Sequence, residues 1–157
     1  MRDIRRLSAE LKLLIQQFGS HRVEWERDCK WVMIRDWELP PGLNQYISHV
    51  VILIPENYGN GEPLRDCFID PNLRATNPKT GNHEEIPHYF VKYPYAQLQL
   101  GTKDEWHRKG WRYLCLHQKV TSNQRINIFN YLSHLYKFLA EPFRDWGGIF
   151  ASYGEAK

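Results

Sequence analysis

The run from Tyr46 to Ile54 constrains the fold most, because it carries the strongest strand signal in the chain. Its second half, from Val50 onwards, is continuously apolar and rich in β-branched residues, which is typical of a strand buried on both faces. Pro55 ends the run, because proline lacks the N–H that a central strand needs. The sequence therefore predicts a buried strand at the centre of a sheet.

Two amphipathic helices are predicted on either side of the strand region. Apolar residues recur every three or four positions over residues 3–18, which predicts a helix that stops at Gly19. A second apolar stripe predicts a helix over about residues 122–141, which Pro142 ends. The spacing of Thr121 and Gln124 is that of a capping box at its start.

The residues between the helices predict short strands, one long loop and an irregular stretch. Besides the central run, we expect strands at 31–34, 67–69 and 95–100. Residues 70–94 are rich in Pro, Asn, Gly and Thr, which predicts a long loop that borders or covers a functional site. Cys115 is expected in an irregular stretch before the second helix. This segregation of helices and strands predicts one α+β domain over residues 1–157.

Composition and charge argue against several classes of function. The formal net charge is +3 and the basic residues are scattered, which argues against a nucleic-acid partner. No run approaches the ~20 apolar residues of a membrane span, and no secretory leader is expected. The three cysteines, Cys29, Cys67 and Cys115, are widely spaced and odd in number, which indicates a reducing compartment. We therefore expect a cytoplasmic protein without a membrane partner.

Cys115 is the candidate nucleophile. It lies in an apolar run between His107 and His117, with basic residues upstream that favour the reactive thiolate. A cysteine in an apolar run is also typical of a small buried core residue, so the local pattern leaves both readings open. A hydrolase would need a histidine base with an orienting Asn or Asp. A zinc site would need four ligands, which Cys115 and His117 do not complete, so neither metal nor cofactor is predicted.

A nucleic-acid surface is a further alternative. It would use two tryptophans and three cations that are close in sequence: Trp106, Arg108, Lys109, Trp111 and Arg112. Such a surface would neutralise phosphates, so its binding would fall steeply with added salt.

Three stretches occur in a fixed order over nearly the whole chain. They are Val51 to Tyr58 followed by Glu62-Pro63, then Leu114-Cys115-Leu116, then residues 126–142 with the phrase Leu139-Ala140-Glu141-Pro142. Together they resemble the ubiquitin-conjugating enzyme (UBC) family, and in particular its divergent bacterial members. In that family a strand leads into Tyr-Pro and Pro-Pro, the active cysteine lies in Ile-Cys-Leu, and the next helix ends in Leu-x-x-Pro. Gly59 replaces the proline after Tyr58.

The resemblance implies a UBC-like fold and a site. The fold would have an N-terminal helix, an antiparallel meander of about four strands, an active-site loop and a long C-terminal helix. His107 takes the position of the family's His-Pro-Asn asparagine, eight residues before Cys115. An imidazole can donate an N–H to a developing oxyanion, so the role could survive this replacement. Asp70-Pro71-Asn72-Leu73 is the alternative equivalent of that triplet.

The resemblance also implies a function. The expected activity is that of a ubiquitin-conjugating-type transferase, which carries a protein C-terminus as a thioester on Cys115 and passes it to an amine. The expected partners are a separate activating enzyme, a ubiquitin-like modifier or the C-terminus of a cyclic-oligonucleotide synthase, and an acceptor protein, in bacterial antiphage conjugation. The alternative is a catalytically inert UBC-like adaptor that binds ubiquitin-like or partner-protein tails.

Overall fold

The computed structural model describes residues 1–87, 89–90, 111–116 and 127–146. In chain order the elements are α1 (Ile4–Phe18), a 3-10 turn (Ser20–Arg22), β1 (Val23–Trp25), β2 (Trp31–Glu38), β3 (Ile47–Leu53), β4 (Asp66–Ile69), β5 (Arg74–Thr76), β6 (His83–Glu85), β7 (Tyr89–Phe90), β8 (Arg112–Cys115) and α2 (Ile128–Ala140). The predicted α+β class is confirmed. No helix of these residues is long and apolar enough to cross a membrane.

Helix α1 forms where the periodicity predicts it. Asp3 caps its start, because the carboxylate accepts the N–H of Arg6 at 3.1 Å. Leu7, Leu11 and Leu14 of its apolar stripe are buried, whereas Ile4 at the start of the stripe is exposed. Gly19 ends it at φ +91°, a conformation that favours glycine, and donates its N–H to the carbonyl of Ile15 at 2.8 Å.

The main sheet is antiparallel and has the strand order β1-β2-β3-β4-β8-β7. Its first four strands follow one another in the chain as an antiparallel meander, of which β1 was not predicted. Strand β3 lies inside it, and Val50, Val51 and Ile52 are fully buried, as expected of a strand covered on both faces. One face packs against both helices in a continuous apolar core. We call the opposite face the outer face.

The expectation of an irregular active-site loop around Cys115 is wrong. Residues 112–115 form strand β8, which pairs with β4 so that Asp66 lies opposite Cys115 and Phe68 opposite Tyr113. The apolar run at 113–116 is itself strand-like, and pairing with β4 supplies the hydrogen bonds that its backbone needs. Cys115 is therefore a strand residue at the end of β8.

Residues 70–94 are not one long loop. Strands β5 and β6 within them form a two-stranded antiparallel sheet, and β7 adds two residues to the main sheet. The Asn and Gly that suggested a loop belong to the connection between β5 and β6, where Gly81 has φ +73° and its N–H bonds to the Asn77 carbonyl at 2.7 Å. The strand predicted at 95–100 lies outside the described residues.

Helix α2 begins later than predicted. Its N-cap is Asn127, whose side chain accepts the N–H of Asn130 at 2.7 Å, and Ile128 is its first helical residue. Thr121 and Gln124, the predicted capping box, lie outside the described residues. Its end at Ala140, two residues before Pro142, agrees with the prediction.

Candidate functional site

Cys115 belongs to a buried cluster on the outer face of the sheet. The cluster spans strands β2, β3, β4 and β8, with Trp31 and Trp111 at its border, and consists of Met33, Val51, Leu53, Phe68, Tyr113 and Cys115. Cys115 has no exposed surface. Any chemistry at this thiol therefore requires that the outer face opens first, because reactive cysteines need access to their substrate.

A buried polar pair lies against Cys115. Asp66 is its cross-strand partner, and opposed residues of an antiparallel pair project to the same face with Cβ atoms about 5 Å apart. Tyr113, two residues before Cys115, projects to that face as well, and its hydroxyl donates a hydrogen bond to the Asp66 carboxylate. Asp66 is only 8 % exposed and Tyr113 is fully buried. The outer-face layer is otherwise largely apolar, so this pair stands out chemically.

The Tyr113 ring must run along the strand towards Cys115. Tyr113 pairs with Phe68, one step along the same face from the Asp66–Cys115 pair, and its ring packs 5.5 Å from that of Phe68. Because the hydroxyl nevertheless reaches Asp66, the phenol spans from one cross-strand pair to the next. Cys115 is thus flanked by the carboxylate across the strand and by the phenol along it.

The proposed oxyanion donor is in a part of the chain outside the described residues. His107 and its neighbours Trp106, Arg108 and Lys109 lie outside the described residues, as does His117. The role of His107 therefore stays a prediction.

The alternative triplet at 70–73 cannot act together with Cys115. The segment follows the last residue of β4, Ile69, directly. Cys115 lies opposite Asp66, the first residue of β4, and three residue steps of about 3.3 Å separate Asp66 from Ile69. The segment is also folded on itself, because the N–H of Asn72 donates to the Asp70 side chain at 2.8 Å. Asn44 holds it from the other side by donating to the Asn72 carbonyl, also at 2.8 Å.

Only the described residues bear on two alternatives to a transferase, because His107 and His117 lie outside them. His49 is on the outer face too, but its Nδ1 accepts the Asp36 N–H at 3.1 Å. Its ring contacts Trp111, which is four residues, or about 13 Å of extended chain, before Cys115. It therefore does not form a hydrolase-type pair with the thiol. Within residues 1–87, 111–116 and 127–146, no group of three His, Cys, Asp or Glu side chains is placed to hold a metal ion.

Arg112 is engaged in holding the chain together. It forms a two-pronged ion pair with Glu85 of β6, at 3.0 and 3.3 Å, and its side chain is largely buried. This pair ties the β5–β6 hairpin to the main sheet. Of the cations that would make up a nucleic-acid surface, Arg112 is thus committed to an internal contact.

The other two cysteines provide a contrast. Cys67, next to Asp66 on β4, projects to the helix-covered face, where its thiol donates to the Leu114 carbonyl at 3.7 Å. Burial raises the pKa of the Cys67 thiol to about 12, so it stays protonated at neutral pH. All three cysteines are thiols rather than disulfides. Cys67 and Cys115 are equally buried, on opposite faces of neighbouring strands.

Asp66 and Tyr113 are the site residues that sequence reasoning missed. Their partnership depends on the pairing of β4 with β8, which joins residues 47 positions apart. The available signal was a charged residue opening the apolar run Asp66-Cys67-Phe68-Ile69. An acid at the start of a buried strand requires a partner, because burying an unpaired carboxylate is costly.

A separate surface cleft of about 520 Å³ lies between the β5–β6 hairpin and the end of α2. Its lining combines apolar and charged side chains, among them Pro78, Lys79, Pro142, Phe143 and Arg144. Cys115 does not contribute to it.

Comparison of the chain with protein-family models, curated proteins and solved structures found no match. The resemblance to the UBC family rests on the sequence stretches named above, and a functional interpretation has to come from the residues of this chain. In the described part, these are Cys115 and the buried pair beside it.

Proposed function

We propose that this chain is a ubiquitin-conjugating-type transferase that carries a protein C-terminus as a thioester on Cys115. The observation that carries the proposal is the buried Tyr113–Asp66 pair against the thiol. A cysteine that served only as a small core residue would need no carboxylate beside it. Burying one is unfavourable, and sequences keep such groups mainly where function requires them.

The chemistry proceeds in two exchanges at one sulfur. In the first, the sulfur of Cys115 attacks the donor's activated C-terminal carbonyl, the new C–S bond replaces the bond to the activating enzyme, and the thiol proton leaves with the departing group. In the second, an acceptor amine attacks the same carbonyl, a C–N bond forms and the C–S bond breaks. One proton from the amine ends on the sulfur of Cys115, and the other stays on the nitrogen as the N–H of the new amide. His107 would donate to the oxyanion in both exchanges.

The proposed partners follow from this chemistry. The sequence has no Gly-rich nucleotide-binding loop, so a separate activating enzyme has to supply the activated carbonyl. The donor is a ubiquitin-like modifier or the C-terminus of a cyclic-oligonucleotide synthase, and the acceptor is a protein amine, as in bacterial antiphage conjugation. We place these reactions in the cytoplasm.

Full burial of Cys115 sets a condition on the mechanism. Cys115 is the last residue of β8, and the N–H of the next residue, Leu116, donates to the carbonyl of Arg65 at 3.1 Å. The thiol therefore reacts with a donor only when this part of the sheet opens locally.

A catalytically inert adaptor is the second candidate function. Two observations favour it: Cys115 has no exposed surface, and the cleft between the hairpin and α2 is open to a ligand without involving the thiol. In this case Cys115 is a packing residue and the chain binds protein tails without forming a covalent bond to them.

Reconstituted transfer distinguishes the two functions. Wild type, Cys115→Ser and Cys67→Ser would be incubated with ATP, the activating enzyme and donor encoded beside the gene, and excess lysine as acceptor. Amide-linked donor–lysine should appear with wild type and Cys67→Ser and be absent with Cys115→Ser. Equal product from all three variants, or no product while the activating enzyme is shown to be charged, would refute the transferase and leave the adaptor.

A further inference from the structure

Asn60 is the one asparagine in the sequence that a glycine follows. It lies in the turn-rich connection between β3 and β4, where its N–H donates to the carbonyl of Asn57 at 3.0 Å, and both Asn60 and Gly61 are exposed. The backbone nitrogen that follows an asparagine can attack the side-chain amide carbon, and a side chain on that next residue normally hinders the attack. Gly61 has no side chain, so this hindrance is absent.

The surroundings of Gly61 leave its backbone nitrogen open to react. Within the described part of the chain, no group accepts the Gly61 N–H. Gly61 has φ +99°, and nothing lies within 4 Å of the position that a Cβ would take. Among the described residues, one exposed hydrogen bond holds the Asn60 side chain, from its Nδ2 to the carbonyl of Met1 at 2.8 Å. A single exposed hydrogen bond exchanges readily with water, so the amide is able to turn towards the nitrogen.

We propose that Asn60 is a site of spontaneous deamidation and that the reaction loosens the start of α1. The Gly61 nitrogen attacks Cγ of Asn60, a new N–C bond forms, and the side-chain nitrogen leaves as ammonia together with the proton of the Gly61 N–H. Water then adds to one carbonyl of the resulting succinimide and breaks a C–N bond of the ring. The product is aspartate, or isoaspartate in which the main chain runs through the former side chain.

The turn that contains this site is bonded to the residue that caps α1. The Tyr58 carbonyl accepts the N–H of Asp3 at 2.8 Å. Gly59 approaches the Asp3 side chain so closely that an added Cβ would lie 2.5 Å from the Asp3 Cβ. The Asp3 carboxylate accepts the N–H of Arg6 at 3.1 Å, and the Asp3 carbonyl accepts that of Leu7 at 3.0 Å. The turn and the first turn of the helix therefore meet at Asp3.

Deamidation changes this junction in two ways. A carboxylate at residue 60 has no N–H to donate to the Met1 carbonyl, so the hydrogen bond is lost and two oxygens of like partial charge face each other. Isoaspartate also lengthens the main chain within a turn whose neighbouring residues, Tyr58 and Gly59, contact Asp3. Both changes weaken the contacts that position the cap, so the first turn of α1 opens more often.

The site is tested on the wild-type protein, so no variant has to fold. The protein would be kept at mildly alkaline pH, and peptide mass mapping would follow the conversion of each asparagine, with isoaspartate detected by enzymatic methylation. Asn60 should convert at least about tenfold faster than Asn57 in the same connection and Asn82 before β6, because a well-placed, unhindered nucleophile is worth at least this factor. Gly61→Ala should slow the conversion and Asn60→Gln should abolish it. Equal conversion of Asn60, Asn57 and Asn82 would overturn the proposal.

The effect on α1 is measured on the deamidated protein, which ion exchange separates by its additional negative charge. The amides of Arg6 and Leu7 should exchange with solvent roughly fivefold faster than in the unmodified protein, the scale expected for weakening one hydrogen bond. The Gly19 amide at the other end of α1 should stay within about twofold. Unchanged exchange at Arg6 and Leu7, or the same acceleration at Gly19, would overturn the link between Asn60 and the start of the helix.

Discussion

The carboxylate of Glu10 in α1 accepts the backbone N–H of Ile128, the first residue of α2, at 2.7 Å across 118 positions of the chain. The same carboxylate accepts the Tyr58 hydroxyl at 2.9 Å and is 3.4 Å from the Arg6 guanidinium. A helix start carries N–H groups without intrahelical partners and the positive end of the helix dipole, so a carboxylate suits this position. Glu10 therefore fixes where the helix that follows the candidate site begins.

Replacing Glu10 should destabilise the fold in proportion to the partners lost. Glu10→Ala leaves the Tyr58 hydroxyl and the Ile128 N–H buried without an acceptor, and we expect a loss of about 2–4 kcal/mol in the free energy of unfolding. Glu10→Gln keeps one acceptor oxygen and should lose less. Urea unfolding of the three proteins measures these differences, and a Glu10→Ala protein as stable as wild type would contradict the arrangement.

The stability of the wild type relative to Glu10→Gln should depend on pH. Burial, which outweighs the lowering effect of the hydrogen bonds and Arg6, raises the pKa of Glu10 above its ordinary value of 4.5. The folded state therefore binds the proton more tightly than the unfolded chain does. The resulting stabilisation is complete below about pH 4.5 and is lost as the pH rises through the folded pKa. The urea midpoint of wild type should fall relative to that of Glu10→Gln as the pH rises from 4.5. A relative rise of the wild-type midpoint would contradict the raised pKa.

Gly59 should tolerate no side chain. It has φ +91°, and an added Cβ would lie 2.5 Å from the Cβ of Asp3, the residue that caps α1. Gly59→Ala should therefore cost the backbone strain plus the disturbed cap, together about 2–3 kcal/mol. Gly61→Ala is the matched control, because Gly61 has φ +99° with nothing within 4 Å of the added atom. Thermal unfolding should place Gly59→Ala below Gly61→Ala, and equal melting temperatures would show that the contact with Asp3 is unimportant.

Asn44 should anchor the chain that leads from β4 into the β5–β6 hairpin. Its side chain accepts the N–H of Arg74 and donates to the carbonyl of Asn72, both at 2.8 Å. Asn44→Ala removes both bonds, so we expect about 1 kcal/mol less protection of the Arg74 amide in hydrogen exchange. Gln45→Ala, which removes a single bond within its own segment, should leave that amide unchanged. Equal exchange of the Arg74 amide in wild type and Asn44→Ala would refute the anchor.

The sequence predicted the elements whose signal is local. The stripe of α1 and the apolar run of β3 lie within single segments, and both elements formed where expected. Strand β8 was not predicted, because its four residues form a strand only by pairing with β4, which is distant in the sequence. The same holds for β5 and β6, three residues each, which are too short to show periodicity against their turn-rich surroundings.

The candidate site, like the fold, was predicted only where the signal lies within one segment of the sequence. Cys115 could be singled out by its neighbours in sequence, but Asp66 became its neighbour only through strand register. The apolar run around Cys115 left both a buried and a reactive thiol open, and residues of β2 and β3 on the same face of the sheet decide for burial.

His107 offers a test of the oxyanion donor, which rests on the family resemblance. His107→Asn retains an N–H donor and should keep most of the rate of transfer to lysine, whereas His107→Ala should lose about 100-fold or more, the usual effect of removing one such donor. Single-turnover discharge from the charged protein measures this step, and equal rates for the two variants would exclude the donor role.

The most direct measurement of the central claim is the intact mass of the charged protein, followed by peptide mapping. Wild type incubated with ATP, activating enzyme and donor should gain the mass of the donor less one water, and thiol reagents should remove the adduct. In Cys115→Ser the adduct should be absent or should become a thiol-resistant ester mapped to residue 115, while Cys67→Ser should behave as wild type. A thiol-sensitive adduct that persists in Cys115→Ser, or a charged activating enzyme that never loads the wild-type chain, would contradict the account.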